Sequence, residues 1–231
     1  MGHMKLNQSG HVAKSAAGHF GNTCCCYTEW IDEFTRGNAA DIATDAPFPG
    51  WTEDATQPHL TIVSNKLRID GVAVSSHAGR AGANANMCSA DMIISMGSWS
   101  GHTLIVGGSY GRLQFWARNS DEATFDGYIM SVVDWENNVY SDIKVYAPDG
   151  LLYASGGLSA DLDSINYALS IEDNVANEVI AYASGSPTAS ISDDNSEDYT
   201  GVYGAAQLFI RDTGGTCTGS ITADNFAVET L

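Results

Sequence analysis

The sequence predicts an all-β fold, a sandwich of antiparallel sheets, and three observations support this prediction. Short runs of apolar and β-branched residues recur at intervals of about 8–12 residues, which is the strand spacing of β-sandwiches. Turn-forming residues separate these runs, and the chain of 231 residues contains 24 glycines. No segment shows the 3.6-residue apolar period of an amphipathic helix. We therefore expect about twelve to fourteen strands and very little helix.

The predicted strands follow one another from Trp30 to the C-terminus. The first clear pair is a hairpin, in which residues 60–63 and 66–69 flank the turn residues Ser64 and Asn65. This succession of short strands favours one domain built from two packed sheets. The remaining predicted strands lie at residues 92–96, 103–106, 113–118, 128–135, 139–146, 151–154, 165–171, 178–183, 202–211 and 221–230.

The charge of the chain excludes two classes of partner. There are 10 Lys and Arg residues against 28 Asp and Glu residues, and the formal net charge is −18 at pH 7. Such a surface repels the phosphate backbone of nucleic acids and the anionic surface of membranes. No apolar run approaches the roughly 18 residues that a membrane-spanning helix needs. We therefore expect neither a nucleic-acid partner nor a membrane partner.

The five cysteines leave the redox state open. Three of them are consecutive, and consecutive cysteines on an extended strand point to opposite faces and rarely bond to each other. Two interpretations remain: one or two of the three bridge to the other cysteines, or all five are thiols. The spacing lacks the Cys-x-x-Cys pattern of a zinc site. The cysteines are Cys24, Cys25, Cys26, Cys88 and Cys217.

A series of weak motifs runs in order through the chain. Near the start, Asp32-Glu33-Phe34 is followed by Trp51, and an Asp-Asn-Phe-x-Val run ends the series at 224–228. The motifs between them lie at 65–69, 111–115, 127–128, 178–185, 192–194 and 199–204. In content and order these motifs resemble those of the concanavalin-like, laminin-G-type jelly roll. The resemblance implies two antiparallel sheets with adjacent first and last strands, and it indicates the fold better than the function.

The same resemblance raises the expectation of a structural Ca²⁺ ion. In many sandwiches of this kind, the acidic residue that opens the last strand helps to hold calcium. Asp224 is the matching residue here, and Asp32 is a second candidate ligand. Calcium takes six to eight oxygen ligands, which an acidic chain can supply. The alternative is that Asp224 only caps a turn or pairs with a backbone N–H at the edge of a sheet.

A candidate ligand-binding groove rests on strand 113–118, which alternates cleanly between apolar and polar residues. Its polar face carries an amide, an indole and a guanidinium, which suit a sugar ligand. If strand 128–135 pairs with it, we expect the Tyr128 face to lie alongside. The alternative is that Trp116 belongs to the core. The predicted ligand-binding residues are Gln114, Trp116, Arg118 and Tyr128.

Catalysis has weaker support in the sequence. Hydrolases of this fold carry their carboxylates in an E-x-D-x-x-E pattern, which is absent here. If the protein is a glycoside hydrolase or lyase with an atypical site, Asp134 and Glu136 would carry the reaction, because residues two apart share a strand face. The alternative places both at a solvated strand end. We therefore expect a module that is not an enzyme.

Residues 1–27 are predicted to form an N-terminal arm, and residues 28–231 the sandwich. The arm is polar and lacks a period, its first three residues are interpreted as a cloning scar, and no secretory signal is visible. An arm that ends in a cysteine cluster loosely resembles those of small phage-encoded structural proteins. We expect it to attach the sandwich to other virion proteins, which predicts a virion or extracellular location.

Together, these features predict a module for structural attachment and for recognition of a glycan or protein surface, such as a virion decoration or tail-associated protein. An oligomer is compatible with the sequence.

Overall fold

The computed structural model describes residues 26–44, 46, 50–71, 76–97, 99–100, 110–135, 140–150, 153–158, 165–173, 179–192, 199–211 and 219–231. Within these ranges the chain forms seventeen β-strands and no helix, and so no helix there is long and apolar enough to cross a membrane. The strands are β1 (Glu29–Asp32), β2 (Trp51–Glu53), β3 (Thr61–Val63), β4 (Lys66–Asp70), β5 (Ser76–Ala83), β6 (Met92–Met96), β7 (Trp99–Ser100), β8 (Tyr110–Asn119), β9 (Tyr128–Trp135), β10 (Tyr140–Tyr146), β11 (Tyr153–Gly157), β12 (Tyr167–Ile171), β13 (Val179–Ala183), β14 (Ser186–Ile191), β15 (Tyr203–Arg211), β16 (Ser220–Ala223) and β17 (Phe226–Thr230).

The strands pair in antiparallel fashion into two large sheets and one small sheet. The six-stranded sheet has the order β1-β17-β6-β12-β13-β14, and the seven-stranded sheet has the order β11-β10-β9-β8-β15-β5-β2. The first and last strands are neighbours, with Trp30 opposite Val228. The predicted all-β jelly-roll sandwich is therefore confirmed. The small sheet, β3-β4-β16-β7, was not predicted, because it joins the hairpin to strands far away in the chain.

The core lies between the two large sheets, on the inward positions of their strands. In β6, for example, Met92, Ile94 and Met96 are buried and the residues between them are not. Each such side chain contributes about 1.5–3 kcal/mol when it leaves water. Trp51 packs on Trp30 and Phe226, with ring centroids 5.1 and 5.0 Å apart. These inward rows hold the sheets together and leave the outward positions for other tasks.

A disulfide between Cys26 and Cys88 fastens the start of the described chain to the sandwich. The N–H of Tyr27 donates to the carbonyl of Asn86, and the N–H of Cys88 donates to the carbonyl of Tyr27, both at 2.8 Å. The Cys26–Cys88 disulfide is one of the pairings that the sequence left open. Cys24, Cys25 and Cys217 lie outside the described residues, as does the predicted arm up to residue 25.

Candidate functional site

The outer face of the seven-stranded sheet consists of the side chains that point away from the core. On β8, Leu113 and Phe115 are fully buried in the core, so Gln114 between them points outward. Cross-strand pairing extends from Gln114 into a polar row that crosses five strands. From one side to the other, this polar row consists of Arg80, Gln207, Gln114, Ser131 and Lys144.

The three central residues of the polar row are almost inaccessible to solvent. Gln114, Ser131 and Gln207 are 8%, 4% and 4% exposed. Nε2 of Gln207 donates a hydrogen bond to Oε1 of Gln57, which reaches it from the segment after β2. Buried amides need such partners, because an unsatisfied buried group costs about 1–3 kcal/mol. The three residues therefore form the floor of the outer face, and their neighbours reach solvent.

One end of the outer face is closed by loop 120–127. Trp116 is 4% exposed and meets the ring of Phe125 edge to face, with centroids 6.0 Å apart. The guanidinium of Arg80 lies 3.9 Å from the Phe125 centroid and 5.4 Å from the Trp116 ring. Trp116 therefore lies on the predicted face but beneath a second layer of side chains.

Asp54 holds the guanidinium of Arg80 in this position. Its Oδ2 accepts a hydrogen bond from Nε of Arg80 at 2.9 Å. Burial alone would raise the pKa of Asp54, but hydrogen bonds from Thr56 and from Arg80, together with the charge of Arg80, outweigh burial and lower it. The carboxylate is therefore ionised at neutral pH, and the charges of Asp54 and Arg80 are paired at the closed end.

The opposite end of the outer face, here called the open end, carries three cations and an aromatic ring. The guanidinium of Arg112 lies 4.6 Å from the ring centroid of Phe209, and both side chains are half-buried. Nζ of Lys144 lies 2.9 Å from Oδ2 of Asp142, and Lys144 is 35% exposed. Arg211 is exposed at an outward position of β15. Flat apolar rings beside charged hydrogen-bond donors are typical of ligand sites.

Arg118 does not join the outer face, although simple alternation places it there. β8 carries a bulge opposite β15, and Arg118 adopts a φ of 60°. An inserted residue reverses the alternation beyond it. The side chain is fully buried and forms ion pairs with Asp91 at 2.9 Å and Asp173 at 2.8 Å, at the ends of β6 and β12. The predicted orientation of Arg118 is therefore wrong, and its guanidinium ties the two large sheets together.

Tyr128 also lies on the inward side. β9 pairs with β8 so that Met130 stands opposite Phe115, and both are core residues. Tyr128 shares their alternation, is fully buried and packs edge to face on Tyr199, with centroids 5.6 Å apart. The prediction that Tyr128 lies beside the polar face of β8 is wrong, because the register places Ser131, on the other face of β9, opposite Gln114.

The two carboxylates considered for catalysis are described only in part. Backbone pairing places Asp134 opposite Gly111 of β8 and Ser141 of β10. This backbone position belongs to the same face of β9 as Tyr128, which is opposite to the face that carries Ser131 of the polar row. Glu136 lies outside the described residues. The register therefore gives no support to a catalytic pair on the outer face.

Asp32 is a buried acceptor of hydrogen bonds. Its two oxygens receive Nη1 of Arg36 at 2.6 and 2.8 Å. The N–H of Phe34 donates to Oδ1 at 2.8 Å, and the indole N–H of Trp51 donates to Oδ2 at 2.7 Å. A guanidinium cation and two N–H donors therefore occupy this carboxylate. That donor set does not fit a calcium ligand, because calcium needs oxygen atoms that face the ion.

Asp224 is half-buried, and its Oδ1 accepts the N–H of Asn225 at 2.9 Å. This contact matches the turn-capping alternative. In the part of the chain that the structure describes, no group of three or more His, Cys, Asp or Glu residues is placed to hold a metal ion. Calcium binding stays a prediction, and the melting temperature with and without a chelator measures it.

The residues of the open end were not predicted from the sequence. Arg112 alternates with Leu113 as Gln114 does, so its outward position could have been predicted on β8 alone. Phe209 and Lys144 come from two other strands, and only the pairing of β15 and β10 with their neighbours brings them to the same face. No local pattern carries that information.

No protein-family model matches the sequence, and no curated protein matches it significantly. Many solved structures match its fold, and three of them are described here. A variant of LamA from Zobellia galactanivorans, in complex with laminaritriose and laminaritetraose, has a TM-score of 0.57 and 10% identity; the match covers 88% of this chain and 99% of that chain. The potassium-bound carbohydrate recognition domain of Emp46p has a TM-score of 0.56 and 10% identity, with 84% and 97% covered.

The third structure is the legume lectin-like domain from Entamoeba histolytica, with a TM-score of 0.53, 10% identity, and 78% and 90% covered. Similarity at this low identity shows the fold and no more. The described chain has the concanavalin-like, jelly-roll β-sandwich fold of these structures.

Proposed function

We propose that the protein is a non-catalytic module that recognises a glycan on the outer face of its seven-stranded sheet. The observation that carries this proposal is the open end, where the half-buried ring of Phe209 and the donors of Arg112 and Lys144 lie beside the polar floor. Sugars present hydroxyl groups and apolar C–H faces. A surface that offers hydrogen-bond donors next to an aromatic ring complements both.

The structural comparisons support this proposal at the level of the fold. LamA was solved with two laminari-oligosaccharides, and the Emp46p domain is named for carbohydrate recognition. Each match covers more than four fifths of this chain. At 10% identity no binding residue is transferred from these proteins, so the residues proposed here rest on this chain's own geometry.

A non-catalytic role is favoured because the register places the Asp134 position on the face of β9 opposite to the polar row. The structural attachment role of residues 1–27, in a virion or elsewhere, remains part of the proposal and rests on the sequence alone. Removing residues 1–25 while keeping Cys26 is expected to leave glycan binding and the melting temperature unchanged.

Affinity electrophoresis of the full chain against a panel of polysaccharides tests the glycan proposal. Phe209→Ala removes the half-buried ring of the open end and is expected to reduce retardation by about tenfold in apparent affinity. Tyr182→Ala is the matched control, because Tyr182 is a half-buried aromatic residue on the outward side of the six-stranded sheet. It is expected to bind as the unaltered protein does.

Each gel mixture is also assayed for released sugar. Retardation without release, lost only in Phe209→Ala, is the expected result. Loss of binding in Tyr182→Ala alone would move the site to the other sheet. Release of sugar that Asp134→Ala abolishes would overturn the non-catalytic half of the proposal.

A further inference from the structure

A cavity lies at one end of the outer face of the six-stranded sheet, and the strand register explains its position. Its volume is about 430 Å³, within the range of about 300–1,000 Å³ that is typical of small-molecule sites. Beneath it, a cross-strand row of buried residues closes the core. This row consists of Asp32 of β1, Phe226 of β17, Met96 of β6 and Tyr167 of β12. Because side chains alternate along a strand, the residue just beyond each of these positions faces outward.

The four residues just beyond that row leave a gap between polar side chains. They are Glu33, Asn225, Gly97 and Asn166, and all of them line the cavity. Gly97 lies between the two asparagines and has no side chain, so the space above it stays open. A Cβ at Gly97 would lie 2.9 Å from Cβ of Asn225, so the glycine also allows Asn225 to pack closely here. Four neighbouring strands span three spacings of about 4.8 Å, which makes the gap about 14 Å wide between its outer backbones.

The floor of the cavity is formed by the next outward positions on three of these strands. Ile31, Ala227 and Ser95 are paired across β1, β17 and β6. Ile31 and Ala227 contribute aliphatic surface, and Ser95 contributes a hydroxyl group. The floor is therefore mainly apolar, and the polar groups surround it.

The polar side chains around the cavity have no hydrogen bond or ion pair with the rest of the described chain. These side chains belong to Glu33, Ser95, Asn166 and Asn225. Their backbones are nevertheless held in place. The N–H of Gly97 donates to the carbonyl of Asp224 at 2.7 Å, and the carbonyl of Asn166 accepts the N–H of Ser184 at 2.9 Å. Positioned polar groups whose donors and acceptors are unused suit the recognition of a ligand.

The chemistry of these groups selects the class of ligand. The carboxylate of Glu33 only accepts hydrogen bonds, whereas the two carboxamides and the hydroxyl both donate and accept. None of the described lining residues is basic, so the negative charge of Glu33 disfavours an anionic ligand. A molecule that carries several hydroxyl groups and apolar C–H faces complements both the polar surround and the aliphatic floor.

We propose that this cavity binds a short neutral sugar of one or two units, or the end of a longer chain, as a second site separate from the open end. The width of the gap limits the ligand to this size. The inference depends on the geometry of the six-stranded sheet alone and does not require the open end to bind a glycan. With both sites in use, one molecule holds two glycans on opposite faces, and such bivalent attachment raises the overall avidity.

Isothermal titration calorimetry of the full chain with cellobiose, lactose, maltose and laminaribiose tests this inference. We expect at least one of these neutral disaccharides to bind. Glu33→Gln removes an ionised acceptor and is expected to weaken that binding by about tenfold, and Asn166→Ala by about fivefold. Glu29→Gln is the matched control, because it makes the same change at an exposed position of β1 at the other end of the strand. Glu29→Gln and Phe209→Ala are both expected to bind the disaccharide normally.

Melting temperatures establish that each variant is folded before its binding is compared. Binding to none of the four disaccharides would overturn the inference, as would equal losses in Glu33→Gln and Glu29→Gln, since net charge alone would then explain them. Loss of binding in EDTA at an unchanged melting temperature would also overturn it, because a bound cation would then be required. Binding that is weakened by Phe209→Ala but not by Glu33→Gln would overturn the second site and support the proposed function at the open end.

Discussion

The two outer faces of the sandwich are built on the same alternation but carry different side chains. Outward positions of the six-stranded sheet hold small, β-branched and acidic residues, such as Ser95 of β6 and Glu229 of β17, together with the aromatic Tyr182 of β13. A cavity of about 430 Å³ on this side is lined by Ile31, Glu33, Ser95, Met96, Gly97, Asn166, Asn225 and Ala227, none of which is basic. The seven-stranded sheet instead presents arginine and lysine side chains, and two of its arginines lie against aromatic rings.

The contrast shows that an outward position on a strand is not always an exposed one. On the seven-stranded sheet, Trp116 and Gln207 point away from the core, but each is only 4% exposed. Loop 120–127 covers Trp116, and Gln57 covers Gln207. On the six-stranded sheet, Ser190 is exposed at an outward position. The first face therefore resembles a second interior layer with one open end, whereas the second face meets solvent directly at Ser190 of β14.

The largest effect is expected from adding a single carbon at the closed end of the seven-stranded sheet. A Cβ at Gly82 would overlap the backbone carbonyl of Glu122, and backbone cannot move aside as a side chain can. We expect Gly82→Ala to lower the free energy of unfolding by about 2–3 kcal/mol, measured by urea denaturation. Ser190→Thr adds one carbon to the other outer face and should change the free energy of unfolding by less than about 0.5 kcal/mol. Similar losses in both variants would contradict the difference between the two faces.

A smaller effect is expected from removing the charge of Asp54. The carboxylate fixes Arg80 over Phe125, so Asp54→Asn should cost about 1–2 kcal/mol at pH 7. The pKa of Asp54 is lower in the folded protein than in the unfolded chain, so its contribution is present above the unfolded pKa and is lost as pH falls through the folded pKa. Unfolding curves of the two proteins should therefore converge in acid.

Asp224→Asn serves as the control for this experiment, because Asp224 contacts the N–H of its own neighbour at a turn. It should leave the stability at pH 7 nearly unchanged. If the Asp54→Asn protein were equally destabilised at pH 7 and in acid, the ion pair with Arg80 would not be the cause.

The smallest effect concerns Glu53, at the end of β2. Its Oε1 is buried and accepts no hydrogen bond from the described residues, and burial, followed by the charge of Asp41, raises its pKa to about 7. A raised pKa stabilises the fold below the unfolded value of 4.5, and this contribution is lost as pH rises through about 7. Glu53→Gln should therefore be more stable than the unaltered protein at pH 8, by less than about 1 kcal/mol because the group is partly solvated. Thermal melts from pH 5 to pH 8 measure this, with Glu29→Gln as the exposed control.

Much of the fold could be predicted because it depends on local alternation and local turns. Leu113 and Phe115 were placed on one face of their strand, and both are core residues. The hairpin turn at Ser64 and Asn65 was recognised from its residues, and both adopt a positive φ, 54° and 61°. These features depend on neighbours in the chain, so the sequence contains them directly.

The candidate site could be predicted only in part, because it depends on register and on coverage. Gln114 and Trp116 were placed together, and the structure keeps them on one face. Tyr128 was assigned to the same face, but a strand can pair through either alternation, and a shift of one residue exchanges its two faces. The bulge that turns Arg118 inward depends on how β8 pairs with β15, some ninety residues later in the sequence.

The sequence by itself determined that this chain forms short strands, alternating faces and tight turns, and that its overall charge is strongly negative. Only the tertiary structure decided which faces meet, which polar residues are covered, and where four of the few cations gather. The physical reason is that alternation arises from the backbone of a single strand, whereas register, bulges and covering loops arise from contacts between segments that are distant in the chain.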